Sequence, residues 1–463
     1  MLFLVNLYFN WNIMKTFFES IGVKMPEVYL PNESVDLNKW SVVACDQYTS
    51  QPDYWNEVKS HVGLVPSTLN IIFPEIYLED TDGDQRIADI KENMAKYMNA
   101  WVLENKWNGF IYLDRQTSQV RSRKGLIMAL DLDQYDYSRG SQTLMRATEG
   151  TIVDRLPPRI KVRDGAPFEL PHIMVLIDDP KRSVIEPIAE ELDKHQKLYD
   201  FDLMMEGGHI AGYQINNEET ISRITEGLVK LADKEVFKNK YNVWDDLGVL
   251  LFAMWDGNHS FATAKAIWKE KKKSLSPDEM ADHPARFALV EINNVHDAGI
   301  TFEPIHRVLF NVNNDNLFNE MAEYFKSVWS ELSVEHFDTK DDLKENLKES
   351  TKNIHYCRGM NEEWYMILWI KNPKLNLEVW NIQAFLDKYL VEHEESKIDY
   401  VHGEDVTEEL GRKKWNLGLL FPIMDKSDFF KTVVVDWALP RKTFSMGEAE
   451  EKRFYLECRK IIK

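Results

Sequence analysis

Met254-Trp255-Asp256-Gly257-Asn258-His259-Ser260-Phe261-Ala262-Thr263-Ala264-Lys265 is the stretch on which the fold turns. Upstream, Asp246 to Trp255 is a nearly continuous apolar run bounded by turn formers, the pattern of a strand buried on both faces. Downstream, Phe261, Ala264 and Trp268 recur at helical spacing, and good helix formers continue to Lys273. Between the two, Asp256-Gly257 supplies a carboxylate and then a residue free to take positive φ, so the chain can turn sharply and aim the first helical N–H groups outward. Such a corner suits an anion. Unpaired amides at Gly257, Asn258 and Ser260 and the positive end of the helix dipole favour phosphate there. His259 adds a hydrogen bond, and Asp256 is placed to take a proton or hold a magnesium ion. An ordinary turn, with a routine helix cap and a solvated histidine, is the plain alternative for so short a motif.

Asp-Gly-Asn-His-Ser, after a buried strand and before a helix, resembles the Asp-Gly-His-His-Arg segment of the ParB and sulfiredoxin superfamily, which includes the free-serine kinases. More closely, the chain resembles the domain-of-unknown-function family 1015, whose members carry a similar Asp-Gly-His-His-Arg-Tyr-Glu-Thr-Ala segment in this place. Asn258 and Ser260 stand where that pattern has His and Arg. With no arginine in the turn, another basic residue has to clamp the phosphate. The resemblance implies a ParB/sulfiredoxin-like α/β (mixed α+β) core with a mixed sheet, followed by a C-terminal α+β region.

Length and composition agree with that class. A chain of 463 residues with 44% apolar content can bury one large core or two to three smaller ones. Its formal charge of −20 opposes nonspecific binding to nucleic acid or anionic membranes, while leaving room for a small ligand in a local basic pocket. Three scattered cysteines, Cys45, Cys357 and Cys458, form neither a Cys-x-x-Cys pair nor an even disulfide set, and a reducing cytoplasm is their simplest compartment. The twelve histidines show no zinc spacing. No stretch reaches the ~20 uninterrupted apolar residues of a spanning helix. Residues 1–13 are apolar without a basic leader or cleavage site, and Met14-Lys15-Thr16 reads as a second, more natural start, so they are expected to be a non-native extension.

Four further segments carry candidate site residues. Trp40 to Ala44 reads as a strand delivering Asp46 and Thr49 to a loop, before a helix that starts at Pro52. Arg146 to Arg163 packs five basic residues into an acidic chain; Arg155 and Arg159 are candidate phosphate clamps, with a solvated helix face as the alternative. This span resembles the His-Glu-x-Thr and Asp-Arg-Leu segments of the same family. Gly207-Gly208 fits a hairpin turn better than a phosphate loop. Pro304-Ile305-His306-Arg307 looks like the family's Pro-x-His-Arg segment, which makes His306 and Arg307 candidates to face the site. Leu439 to Met446 resembles its C-terminal segment.

Beyond residue 310 the composition shifts to charged amphipathic helices with short strands, so the expected domains are 14–310 and 311–463. Two functions fit. One is a phosphotransferase or phosphatase acting on a small serine-like or phosphoserine-like metabolite, with magnesium and a nucleotide as candidate cofactors. The other is a noncatalytic nucleotide-binding regulator of the ParB type.

Overall fold

The apolar run that ends at Asp256 forms a strand over Phe252–Asp256, and the motif's second half forms the helix Asn258–Lys271. The strand is shorter than its hydrophobicity predicts. Residues 247 to 251 run irregularly because Gly248 sits against the backbone of Gln142 and the Leu251 N–H donates to Leu144 C=O at 2.9 Å. These features come from a computed structural model that describes residues 16–463 except 79, 151–153, 155, 245, 438, 440, 441 and 446. The expected extension at residues 1–13 lies outside the described residues.

The chain divides into two compact units, one of residues 1–300 with 447–463 and the other of residues 301–446. The division expected after residue 310 moves upstream, because the strand Glu303–Phe310 pairs with Lys397–His402, Asn416–Leu420 and Phe444–Ser445, all in the second unit. The expected C-terminal region also loses its last seventeen positions, 447–463, to the first unit. There Tyr455 N–H donates to Val42 C=O at 2.8 Å, Ala44 N–H donates to Arg453 C=O at 2.9 Å, and Arg459–Lys460 pairs with Phe168–Glu169. Trp40 to Ala44, read as a strand from sequence, begins on the last residue of the short helix Leu37–Trp40 and continues as an extended stretch held by this tail.

The first unit is built on a mixed sheet, ten-stranded among the described residues. From one edge its order is Lys197–Asp202, His209–Ile215, Phe110–Gln116, Arg123–Asp131, Phe287–Asn294, Met174–Ile177, Phe252–Asp256, Met145–Arg146 and Tyr135–Asp136, with Val23–Lys24 paired to Arg123–Asp131. Phe287–Asn294 runs parallel to Met174–Ile177, which is antiparallel to Phe252–Asp256. Gly207-Gly208 lies in the connection of the antiparallel pair Lys197–Asp202 and His209–Ile215.

Strand alternation sends side chains to opposite faces, and here both faces are buried. Leu126, Met128 and Leu130 join Ile221, Ile224 and Leu228 of the helix Glu218–Leu231, together with Phe261 and Trp268 of the motif helix. Ile111, Leu113 and Ile127 join Trp55 and Val58 of the helix Pro52–Val62, with Phe454 and Leu456 of the tail. The two layers fix the central strands, and with them the strand end at Asp256.

The second unit has its own antiparallel sheet, in the order Glu331–Phe337, Tyr365–Lys371, Ile354–Met360, Asn416–Leu420, Glu303–Phe310 and Lys397–His402. Its helices include Asn314–Ser327, Glu378–Glu392 and Lys426–Asp436, so the expected α+β character holds. Among the described residues no helix is long and apolar enough to cross a membrane.

Candidate functional site

A register shift between Met254 and Asp256 against the neighbouring strand leaves Trp255 as an extra residue and re-aims Asp256 at the strand end. Gly257 follows at φ 76°, ψ 23°, in the left-handed region. A Cβ there would stand 2.9 Å from Ile173 Cα, so sterics and backbone both select glycine. The first helical hydrogen bond runs from Phe261 N–H to Gly257 C=O at 3.0 Å, which places the N–H groups of Asn258, His259 and Ser260 ahead of it at the positive helix end.

That corner opens on a cavity of about 490 Å³ in the first unit. Its walls include Asp46 and Thr49 from the loop after Ala44, Glu75, Arg159 and Arg163, His172, the motif residues 255 to 260, and Tyr455 from the tail. The volume is ordinary for a small-molecule site.

Asp256 is fixed at both oxygens. Its Oδ1 accepts from the Gly257 N–H at 2.9 Å, and Lys452 Nζ lies 3.4 Å from Oδ2. Burial pushes its carboxyl pKa upward, but the Lys452 ammonium, first, and the Gly257 N–H draw it down, and it stays below the ordinary value. Asp256 is therefore a carboxylate at neutral pH, a weak proton acceptor and a good electrostatic anchor. Glu75 differs. Burial raises its pKa, only partly offset by Arg159, with which it forms an ion pair. Arg163 pairs with Glu169, which also accepts from Arg459. Burial, chiefly, pushes the Cys45 thiol far up, which disfavours the thiolate at neutral pH. Asn258 Oδ1 is buried with no hydrogen-bond partner among the described residues.

The strand, left-handed glycine and open helix turn set out the motif in space, and the sequence around it is recognisable across most of the chain. The chain belongs to the family described as "Protein of unknown function (DUF1015)". That family matches residues 29–389. No curated protein matches. Among solved structures, a free serine kinase variant in complex with AMP is 10% identical, at TM-score 0.34, with 72% of this chain and 92% of that one covered. C-terminally truncated SbnI from Staphylococcus aureus is 7% identical at TM-score 0.33, covering 72% and 87%. A conserved hypothetical protein from Pyrococcus furiosus is 11% identical at 0.31, covering 73% and 95%.

Of the residues singled out in this DUF1015 chain, Asp256, Gly257, Asn258, His259, Ser260, Asp46, Thr49 and Arg159 all line the one cavity. Arg155 lies outside the described residues. His306 and Arg307 belong to the second unit, where both are buried. His306 Nδ1 accepts from the Phe421 N–H at 3.2 Å, with burial lowering its pKa to about 4. Arg307 donates to Gln383 Oε1 at 2.8 Å and stacks over Tyr400. Neither lines the cavity. Sequence reading missed His172, Lys452, Tyr455 and Glu75 as members of the site. His172 carried one usable signal, a polar residue at the mouth of the buried strand Met174–Ile177.

Proposed function

We propose that the cavity binds a phosphate-bearing small metabolite or nucleotide and transfers a phosphoryl group to or from a small hydroxyl metabolite of the serine class. The observation that carries this reading is the Asp256-Gly257 corner, which turns an open helix N-terminus onto the cavity at a position only glycine can fill. The N–H groups of Asn258, His259 and Ser260 receive the phosphate. Arg159, paired with Glu75 in the cavity lining, supplies fixed positive charge. Phosphoryl transfer asks mainly for positioning and charge neutralisation, and these groups supply both.

The lining is itself acidic, with Asp46, Glu75, Glu149, Glu169 and Asp256 against Arg159 and Arg163. A polyanion enters such a cavity at lower cost with part of its charge cancelled by a divalent cation. Among the described residues no group of three or more His, Cys, Asp or Glu is arranged to hold a metal. A magnesium ion would therefore arrive on the phosphates, with Asp256 as its protein ligand, and would neutralise their charge.

A noncatalytic nucleotide-binding role is the second reading, favoured by the fact that both Asp256 oxygens are already engaged. The deciding experiment offers AMP, ADP, ATP, serine and phosphoserine, with and without magnesium, to the wild type and to Asp256→Asn. AMP and ADP are the nucleotides bound in the matched free serine kinase structures. Turnover lost in the variant while binding persists is the expected result. Nucleotide binding with no turnover of any substrate would establish the regulator instead.

A further inference from the structure

The buried hydroxyl of Tyr455 has neighbours that decide where its proton goes. The backbone N–H of Cys45 donates to it at 3.3 Å, and His172 Nδ1 lies 2.7 Å from it. The Cys45 thiol also lies within hydrogen-bonding reach of the hydroxyl, and sulfur is the weaker acceptor of the two. Burial, first, and then Cys45 push the phenol well above its ordinary pKa, so the hydroxyl keeps its proton. An unmatched buried donor costs about 1–3 kcal/mol. The acceptor with the best geometry and chemistry is the imidazole nitrogen. His172 Nδ1 therefore carries no proton, which makes the ring neutral and puts its single proton on Nε2. A ring protonated at Nδ1 would strand the phenolic proton on the thiol.

The position of the other ring edge completes the argument. His172 Cδ2, bonded to Nε2, lies 3.3 Å from where a Cβ on Gly257 would stand, and the ring lines the cavity beside Asp256 and Asn258. The ring carbon bonded to Nε2 thus lies beside the glycine that opens the helix turn. A charged imidazolium there would be drawn to Asp256. A neutral ring instead offers a directed N–H to a ligand oxygen.

We propose that His172 donates a hydrogen bond through Nε2–H to a phosphate oxygen of the bound ligand, and that Tyr455, from the C-terminal tail, is the positioning residue that fixes this tautomer. The inference rests on reading the cavity as a phosphate site.

The test is nitrogen-15 NMR of histidine-labelled full-length protein, with His172→Gln used to assign the signal. The expected wild-type signature near neutral pH is a neutral ring protonated at Nε2. Tyr455→Phe, which keeps the ring and removes the hydroxyl, should convert it to a tautomer mixture while the other histidine signals stay in place. Saturating AMP should shift the His172 Nε2–H resonance, and His172→Gln should weaken AMP binding about tenfold or more, the worth of one hydrogen bond to a charged group. A wild-type ring protonated at Nδ1, or a tautomer indifferent to Tyr455→Phe, overturns the positioning role. AMP binding unchanged in His172→Gln but lost in Gly257→Ala overturns the ligand contact and leaves the phosphate-site reading standing. If neither AMP nor inorganic phosphate binds the wild type, that reading falls and the ligand contact with it.

Discussion

Gly257 holds a backbone conformation and a space that no other residue shares comfortably, which makes it the position in the site most sensitive to substitution. Gly257→Ala adds a Cβ at positive φ, 2.9 Å from Ile173 Cα. We expect it to cost about 1–3 kcal/mol of stability and to weaken phosphate binding by displacing the first helical turn. Urea unfolding measures the first effect, with Gly83→Ala as the control at a glycine whose added Cβ would meet nothing within 4 Å, and an undiminished midpoint would show that the corner relaxes. Asp256 makes a prediction in pH. Its folded pKa lies below the ordinary aspartate value of about 3.9, so its pairing stabilises the protein fully above that value and is lost as pH falls through the lower folded one. Asp256→Asn should therefore be less stable than wild type near neutrality, with the gap closing in acid; a pH-independent gap would remove the ion pair as its cause. The sequence displayed Asp256 and Gly257 because a strand, a turn and a helix are local patterns. It concealed Lys452 and His172, whose roles come from proximity to Asp256 that no local spacing encodes.

At the scale of elements, the tail 447–463 is what separates the observed site from the one legible in the sequence. It reaches the first unit only after the chain has passed through residues 301–446, and it contributes Lys452 and Tyr455. Buried charge holds it there. Arg115 and Arg123 donate to the backbone carbonyls of Glu450 and Glu451 at 2.9 Å each. Arg453 pairs with Glu291 at 2.7 Å and with Glu457, and both glutamates are almost fully buried. Removing the arginine leaves two buried carboxylates with less compensation, so Arg453→Met should cost about 3–5 kcal/mol. Chemical denaturation checks this, and a loss under 1 kcal/mol would mean the network is hydrated or redundant. The tail escaped sequence reading because charged residues on a terminal segment usually lie in solvent. Its pairing partners, near Tyr29, Val43 and Phe168, are more than two hundred and fifty positions away in the chain.

At the scale of the molecule, the second unit is an insertion between residues 300 and 447 of the first. The composition shift after residue 310 made a second unit legible, but the strand Glu303–Phe310 reads like any other apolar strand, so its membership was not. Its two ends meet, for Glu303 pairs with Ser445 and Pro304 with Phe444. Segments with adjacent termini and a core of their own are those that fold as inserted domains. That core is present here. Leu317, Met321 and Phe325 from one helix, Ile382, Phe385 and Leu386 from another, and Phe429 and Val433 from a third are all buried, as are Ile367, Leu368 and Ile370 of the strand Tyr365–Lys371. Arg307, inside it, donates through Nε to Gln383 and through Nη1 to the Ile305 carbonyl, both within the unit. A fragment of residues 301–446 should thus unfold cooperatively, with coincident far- and near-ultraviolet transitions, as single domains of this size do. A fragment with helical signal but no near-ultraviolet transition would mean that its packing depends on the remainder of the chain, and that the two units fold as one.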